Sequence, residues 1–177
     1  MGGTNYIRSK NGVLFTPPRI DTINNYTGFE NVTDYTGEAI LSSLLIPAFS
    51  FSNYDLIEIE SRLKKNGTGG IAVIRIRIGT GQTTSDVLVG TYSGTASTSL
   101  HIPIKRTIKI AGVTSTTEVV DPTQNISFDD SFSSYTLSNL TIDWTKNNYI
   151  SVTAQIASLT DTINCMYIKT KRFCTIL

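Results

Sequence analysis

Residues 57–78 read IEIESRLKKNGTGGIAVIRIRI, and this stretch decides the fold. Ile57, Ile59 and Leu63 alternate with Glu58, Glu60 and Arg62. After the run Lys65-Asn66-Gly67-Thr68-Gly69-Gly70, Ala72, Ile74, Ile76 and Ile78 alternate with Val73, Arg75 and Arg77. Period two on both sides of a glycine-rich gap predicts two strands, each with one apolar face, joined as an antiparallel hairpin. If Gly67-Thr68 forms a type II′ turn, Asn66 faces Gly69. Ile59 then opposes Ile76 and Ile57 opposes Ile78, while Glu60 meets Arg75 and Glu58 meets Arg77. A slip of one residue would set the acids against isoleucines. An arginine across the ladder lowers a carboxylate pKa, so this register argues against Glu58 and Glu60 as a general acid pair.

The same alternation continues along the chain. Val87 to Tyr92 is a short strand ending at Ser93-Gly94. Leu100, Ile102, Ile104, Ile108 and Ile110 share one face, with Pro103 marking an edge strand or a bulge. His101 falls on the polar face of that strand, as a surface residue. Val113–Val120 and Asn125–Phe128 are weaker strands split by Asp121-Pro122. Leu140 and Ile142 lead to Trp144. Ile150, Val152, Ala154 and Ile156 point inward from a further strand, Leu159-Thr160-Asp161 is a loop, and Ile163 to Lys169 returns, with Ile150 opposite Ile168. Residues 37–46 (GEAILSSLLI) fit a short helix or a buried strand, and the strands around them favour a strand. About eight short strands spaced roughly ten residues apart predict an all-β protein, an antiparallel β-sandwich or jelly roll. No repeat of roughly 20–50 residues is present, which excludes a solenoid or propeller.

Composition agrees. The chain has 177 residues, of which 16% are charged, and 15 Lys plus Arg against 14 Asp plus Glu give a net charge of +1. Charge therefore names no polyanionic partner, and no nucleic acid is expected. Thr, Ser and Asn supply the polar surface, and Ile and Val supply the core, a mix that favours strands and turns. No apolar run approaches the roughly 20 residues of a membrane span, and the N-terminus lacks the pattern of a secretory signal or of a myristoylation site. We therefore expect no membrane partner and synthesis in a cytoplasm. In that compartment the five Asn-x-Ser/Thr triplets are not read as glycosylation sites.

Residues 1–38 differ from the rest. They are polar and aperiodic, and Pro17-Pro18 imposes extended backbone. We read 1–38 as an extended N-terminal arm for docking or oligomer contacts, with Phe15, Pro17, Pro18 and Ile20 as its contact residues, and 39–177 as the sandwich domain.

Reactive chemistry is sparse. One His and two Cys leave no metal motif, and Cys165 and Cys174 read as small core or near-terminal thiols. Gly79-Thr80-Gly81 lacks phosphate-loop spacing, and Asp129-Asp130 lacks the spacing of a calcium loop. Lys169, Lys171 and Arg172 form a small basic cluster that reads as a solvated strand edge. Tyr26, Tyr35, Tyr92, Tyr135, Trp144 and Tyr149 are scattered, and in a sandwich most such rings belong to the core or to interfaces. We expect no enzyme, no cofactor and no metal.

Two runs carry a resemblance: LLIPAFSFSNYDLIEIESRLKKNGTGGIAVIRIRIGT (44–80) and WTKNNYISVTAQIASLTDTINCMYIK (144–169). Together they resemble β-rich virion proteins of tailed bacteriophages and are similar to head-fibre, capsid-decoration and tail-fibre modules. The usage, rich in Asn, Ile, Lys and Thr, is similar to that of phages with AT-rich genomes, crAss-like phages included. The resemblance implies a structural or adsorption role in a virion, with capsid or tail proteins as partners. It also implies a homo-oligomer, with a trimer favoured. The alternative it implies is a receptor-binding tip that recognises a host surface glycan.

Overall fold

The computed structural model describes residues 37–94, 96, 99–129 and 136–173, together with the backbone of four short strands before residue 34. Those four are β1 (Ile7–Arg8), β2 (Leu14–Phe15), β3 (Ile20–Asn25) and β4 (Asn31–Thr33). Then follow β5 (Ala39–Ile46), β6 (Leu56–Asn66), β7 (Ala72–Gly79), β8 (Val87–Ser93) and β9 (Ser99–Gly112). The chain continues with β10 (Thr116–Val120), β11 (Leu137–Leu140), β12 (Asn148–Ile156) and β13 (Thr162–Phe173). No helix occurs among the described residues. The protein is all-β, and the ambiguous stretch before Pro47 is strand β5.

Two antiparallel sheets face each other. One runs β11-β10-β9-β6-β13-β3, with β4 also pairing β13. The other runs β5-β12-β7-β8. The alternating isoleucines fill the space between them. Ile57, Ile59 and Leu63 of β6 and Ile74, Ile76 and Ile78 of β7 are all buried, as are Ile150, Val152 and Ala154 of β12. Trp144 closes one end of this core, its Nε1–H donating to Thr117 Oγ1 at 2.9 Å and its ring edge-to-face with Phe51.

The expected hairpin is not there. β6 pairs β9 and β13, whereas β7 pairs β12 and β8. Residues 67–71 therefore carry the chain across from one sheet to the other, a gap of about 10 Å in packed sheets. Alternation fixes which side chains face the core, and an arch satisfies it as well as a hairpin does. The glycines have another cause too. A Cβ on Gly67 (φ +137°) would lie 2.6 Å from the Asp161 Cα, and one on Gly70 would lie 2.7 Å from Asp161 Oδ2. Glycine is required by a close approach across the fold rather than by a type II′ turn. The proposed charge ladder goes with the hairpin. Glu58 binds Lys105 and Lys171, and Arg75 and Arg77 bind Glu38.

The pairing of Ile150 with Ile168 fails in the same way. Ile150 lies between Leu44 and Ile78, while Ile168 lies between Ser61 and Asn25 in the other sheet. The β12–β13 connection is a second arch, beside the first. Ala157 N–H donates to Ile71 O at 3.1 Å. Lys65 and Asp161, both with fully buried side chains, form an ion pair of 2.8 Å between the two arches. The same carboxylate accepts from the Thr68 N–H at 2.6 Å and from its hydroxyl at 3.1 Å. Burial alone would raise the Asp161 pKa, but Lys65 and the two Thr68 donors outweigh it and hold the carboxyl below its ordinary value.

Two further expectations change. Asn125–Phe128 makes only the isolated bridges Thr91–Asn125 and Lys105–Phe128. β9 is interior rather than an edge, but β10 pairs it only from Ile108 onward. Near Pro103 the unpaired side of β9 is capped instead. Lys105 N–H donates to Ser127 O at 2.7 Å, and Thr107 N–H donates to the Asp129 carboxylate. A residue without an N–H fits that side.

One inward position of β9 is not apolar. Arg106 is buried, and its guanidinium donates to the carbonyls of Thr91 (2.7 Å), Lys105 (3.1 Å) and Ile126. It thus links β9 to β8 of the opposite sheet. Gly90 makes the space, since a Cβ there would lie 2.9 Å from Arg106 Cδ.

Gly90→Ala should therefore cost about 1–3 kcal/mol in chemical denaturation, whereas Gly81→Ala, in an exposed loop, should cost less. Because the Asp161 pKa is depressed in the fold, its contribution is full above the unfolded value of 3.8 and is lost as pH falls through the lower folded value. Thermal melts should hold steady from neutrality to about pH 5 and fall in more acid solution, and Asp161→Ala should remove part of that dependence.

Candidate functional site

The arm residues named from the sequence stand mostly outside what the structure describes. Pro17 and Pro18 lie outside the described residues, and only the backbone of Phe15 and Ile20 is described. That backbone places Phe15 opposite Ile7 and Ile20 opposite Phe173. β3 and β4 together line the side of β13 away from β6. At the root of this segment Glu38 is held by Arg77 through two bonds of 2.6 and 2.8 Å, by Thr153 Oγ1 at 2.5 Å and by Arg75 at 3.3 Å. Burial would raise the Glu38 pKa, but these donors and the two arginine charges lower it overall.

The other polar groups singled out from the sequence are structural. Glu60 accepts from the Tyr167 hydroxyl at 2.5 Å, and burial together with this bond pushes the phenol up to about 12. The basic cluster is not a strand edge, since β13 lies between β6 and the β3–β4 segment. Lys171 binds Glu58 at 2.9 Å, and Arg172 binds Asp55 at 2.7 Å and the Ser50 carbonyl at 2.9 Å. His101 is exposed, next to Lys64 in the register. Cys165 is a buried free thiol, and burial pushes its pKa up. Cys174 and Asp130 lie outside the described residues. Among the described residues no group of three or more His, Cys, Asp or Glu could hold a metal.

What remains is one end of the sandwich. Four connections meet there, and hydrogen bonds tie three of them together. Phe49 N–H donates to Trp144 O at 3.0 Å, Ala48 N–H to Asn147 Oδ1 at 2.8 Å, and Trp144 N–H to Val113 O at 2.7 Å. The β5–β6 loop holds Phe49 at φ +59° with its side chain 76% exposed, and Tyr54 at φ +70°. Non-glycine residues rarely adopt this conformation. The other side of residues 141–148 forms a cleft of about 300 Å³ with residues 78–87. Its walls combine Ile78, Val87 and Ile142 with Thr80, Ser85, Thr141, Asp86, Asp143 and Lys146. Asp86 Oδ2 accepts from Thr83 N–H at 3.0 Å, and Oδ1 accepts from the Thr83 hydroxyl at 3.5 Å. A Cβ on Gly79 would lie 2.5 Å from that same Oδ1 and 2.6 Å from Cγ, so glycine lets the carboxylate pack against the β7 backbone. Asp143 is held by Thr145 Oγ1 (2.6 Å), Thr145 N–H (3.0 Å) and Lys146 (3.1 Å), which together lower its pKa.

The aromatics named from the sequence are not the ones displayed here. Trp144 is buried, Tyr92 packs against the core and Tyr149 is half-buried. Tyr26, Tyr35 and Tyr135 lie outside the described residues. The missed signal was FSFSNY at 49–54, an aromatic-polar run following Pro47 and too polar to continue the strand.

No protein-family profile matches the chain, and no curated protein sequence does. Among solved structures, the chain is similar to the CBM2 module of the evolved Dit of Lactobacillus casei BL23 phage J-1. The identity is 10%, the TM-score is 0.35, and the match covers 76% of this chain and 70% of that one. It is also similar to the VP2 subviral particle of infectious bursal disease virus (13%, TM-score 0.35), covering 96% of this chain but 38% of that one. A third similar structure is the lectin UEA-II complexed with galactose (8%, TM-score 0.32), with 96% and 91% covered.

Phe49→Ala should leave the melting temperature nearly unchanged, because the ring packs on nothing that folding needs. Phe51→Ala, which empties the contact with Trp144, should cost about 3–4 kcal/mol. A thiol reagent should leave Cys165 unmodified in the folded protein and label it once denaturant is added.

Proposed function

We propose that this chain is a non-enzymatic structural protein of a tailed-phage virion, a capsid-associated decoration or head-fibre component. In this reading its N-terminal segment anchors it, and it acts as a homo-oligomer, with a trimer favoured. The observation that carries the reading is how the charged side chains are used. Glu38, Asp55, Glu58, Glu60 and Asp161 each sit in a salt bridge between strands or loops. Cys165, the one cysteine among the described residues, is buried. Such a molecule works by presenting surface. The resemblance of residues 44–80 and 144–169 to phage head-fibre and decoration modules supports the same setting.

The test is attachment. The full chain should co-purify with particles in fixed stoichiometry, and a variant lacking residues 1–19, which keeps β3 paired to β13, should keep its circular dichroism but lose attachment. Undiminished attachment of the truncated chain would overturn the anchoring role. Light scattering should show an oligomer, and a monomer that also ignores particles would overturn the reading as a whole.

A second reading, a receptor-binding module for a host surface glycan, is favoured by one observation: Phe49 stands exposed at the loop end of the sandwich.

A further inference from the structure

We infer that copies of this chain associate head to tail, with Phe49 at the loop end of one copy seated in an apolar hollow at the arch end of the next. This rests on the homo-oligomer of the preceding subsection and names the contact that builds it.

The hollow lies on the outer side of the smaller sheet, where β7 begins and β12 ends. It measures about 230 Å³ and is lined by Ile71, Val73, Gln155, Ile156 and Ala157. Ala72, Ile74, Ala154 and Ile156 are buried in the core, so alternation turns Ile71, Val73, Gln155 and Ala157 outward. Ile71 is 47% exposed, and Leu159, two residues beyond Ala157, is 56% exposed. The lining has no charged side chain, and Gln155 is its one polar member. The bond from Ala157 N–H to Ile71 O, at 3.1 Å, fixes the spacing of its two sides. An apolar cavity of roughly 150 Å³ takes a benzene ring, so the hollow has room for a phenyl group.

Phe49 supplies that group. At 76% it is the most exposed large hydrophobic side chain among the described residues. Its backbone stands at φ +59°, held there because Phe49 N–H donates to Trp144 O and Ala48 N–H to Asn147 Oδ1. A non-glycine residue kept in that conformation is strained, and here the strain holds an apolar ring out in water. A ring on so fixed a backbone loses little freedom when it enters a pocket.

Knob and hollow cannot meet within one chain. The eight residues of β7, Ala72–Gly79, separate the two ends of the smaller sheet by about 26 Å. The occupant of the hollow is therefore a second copy, which carries the matching ring. Contact between unlike surfaces repeats from copy to copy and makes a ring when the rotation closes, as in a trimer. A net charge of +1 leaves little repulsion between copies.

The test is sedimentation velocity on the full chain and two variants. Phe49→Asp removes the knob, and aspartate is among the residues that tolerate a positive φ. Ile71→Asp sets a charge in the hollow from an exposed position. Unchanged melting temperatures establish that both fold, and Val73→Asp replaces Ile71→Asp should the latter melt early. The unaltered chain should sediment as an oligomer, and each variant alone should associate about tenfold more weakly or worse. An equimolar mixture should recover a two-copy species, because the Ile71→Asp chain keeps Phe49 and the Phe49→Asp chain keeps the hollow. No recovery in the mixture would overturn the inference, and so would an oligomer that survives either substitution. Loss of association in Phe49→Asp alone would mean that loop ends meet each other, and would overturn it too. Each of these leaves the homo-oligomer standing. A monomer at every concentration would remove the homo-oligomer and this contact together.

Discussion

The ion pair between Lys65 and Asp161 joins two connections that have no reason to meet except through the fold. Residues 67–71 take the chain from the larger sheet to the smaller, and residues 157–161 bring it back. Both arches must lie side by side for either to keep its path. A lysine and an aspartate wholly withdrawn from water cost several kcal/mol each to desolvate, and attraction at 2.8 Å offsets this only with further donors. Thr68 supplies them from its N–H and its hydroxyl. The Thr68 hydroxyl also lies 2.8 Å from Thr160 Oγ1 and 3.1 Å from Ser158 Oγ, so the second arch is gripped at three points. Gly67 and Gly70 are the cost on the sequence side, because any side chain there would strike Asp161.

From this end the rest of the molecule follows a consistent division. Inside, isoleucines from both sheets interdigitate, and one buried arginine, Arg106, ties the sheets together through backbone carbonyls. Outside, carboxylates sit between cations of neighbouring strands, as Glu58 does between Lys105 on β9 and Lys171 on β13. Such a pattern resists strand slippage, since a shift of one residue would break every pair at once. The chemistry is spent on holding the sheets, and the opposite end of the sandwich, away from the arches, is left to display Phe49 and the cleft.

The two ends differ in kind. The arch end is closed by a buried carboxylate and glycines. The loop end is closed by Trp144 and Phe51, buries Asp55 against Arg172, and holds Asp86 and Asp143 in short turns of their own.

The sequence by itself determined the class of fold and the inward face of nearly every strand, because period-two alternation of isoleucine with polar residues is a local property. It marked Ile57, Ile59, Ile74, Ile76, Ile150 and Val152 as core, and all are buried. Partnership was decided only in three dimensions. A hairpin and an arch have the same alternation, so Glu58 could be matched with Arg77 on paper although it lies with Lys105 and Lys171 in the fold. Lys65 read as one more polar residue near a turn, and Arg106 passed unremarked among isoleucines. Their roles depend on Asp161, Thr91 and Ile126, residues 15 to 96 positions away. No local pattern encodes contacts at that range, because they arise only when both sheets are in place.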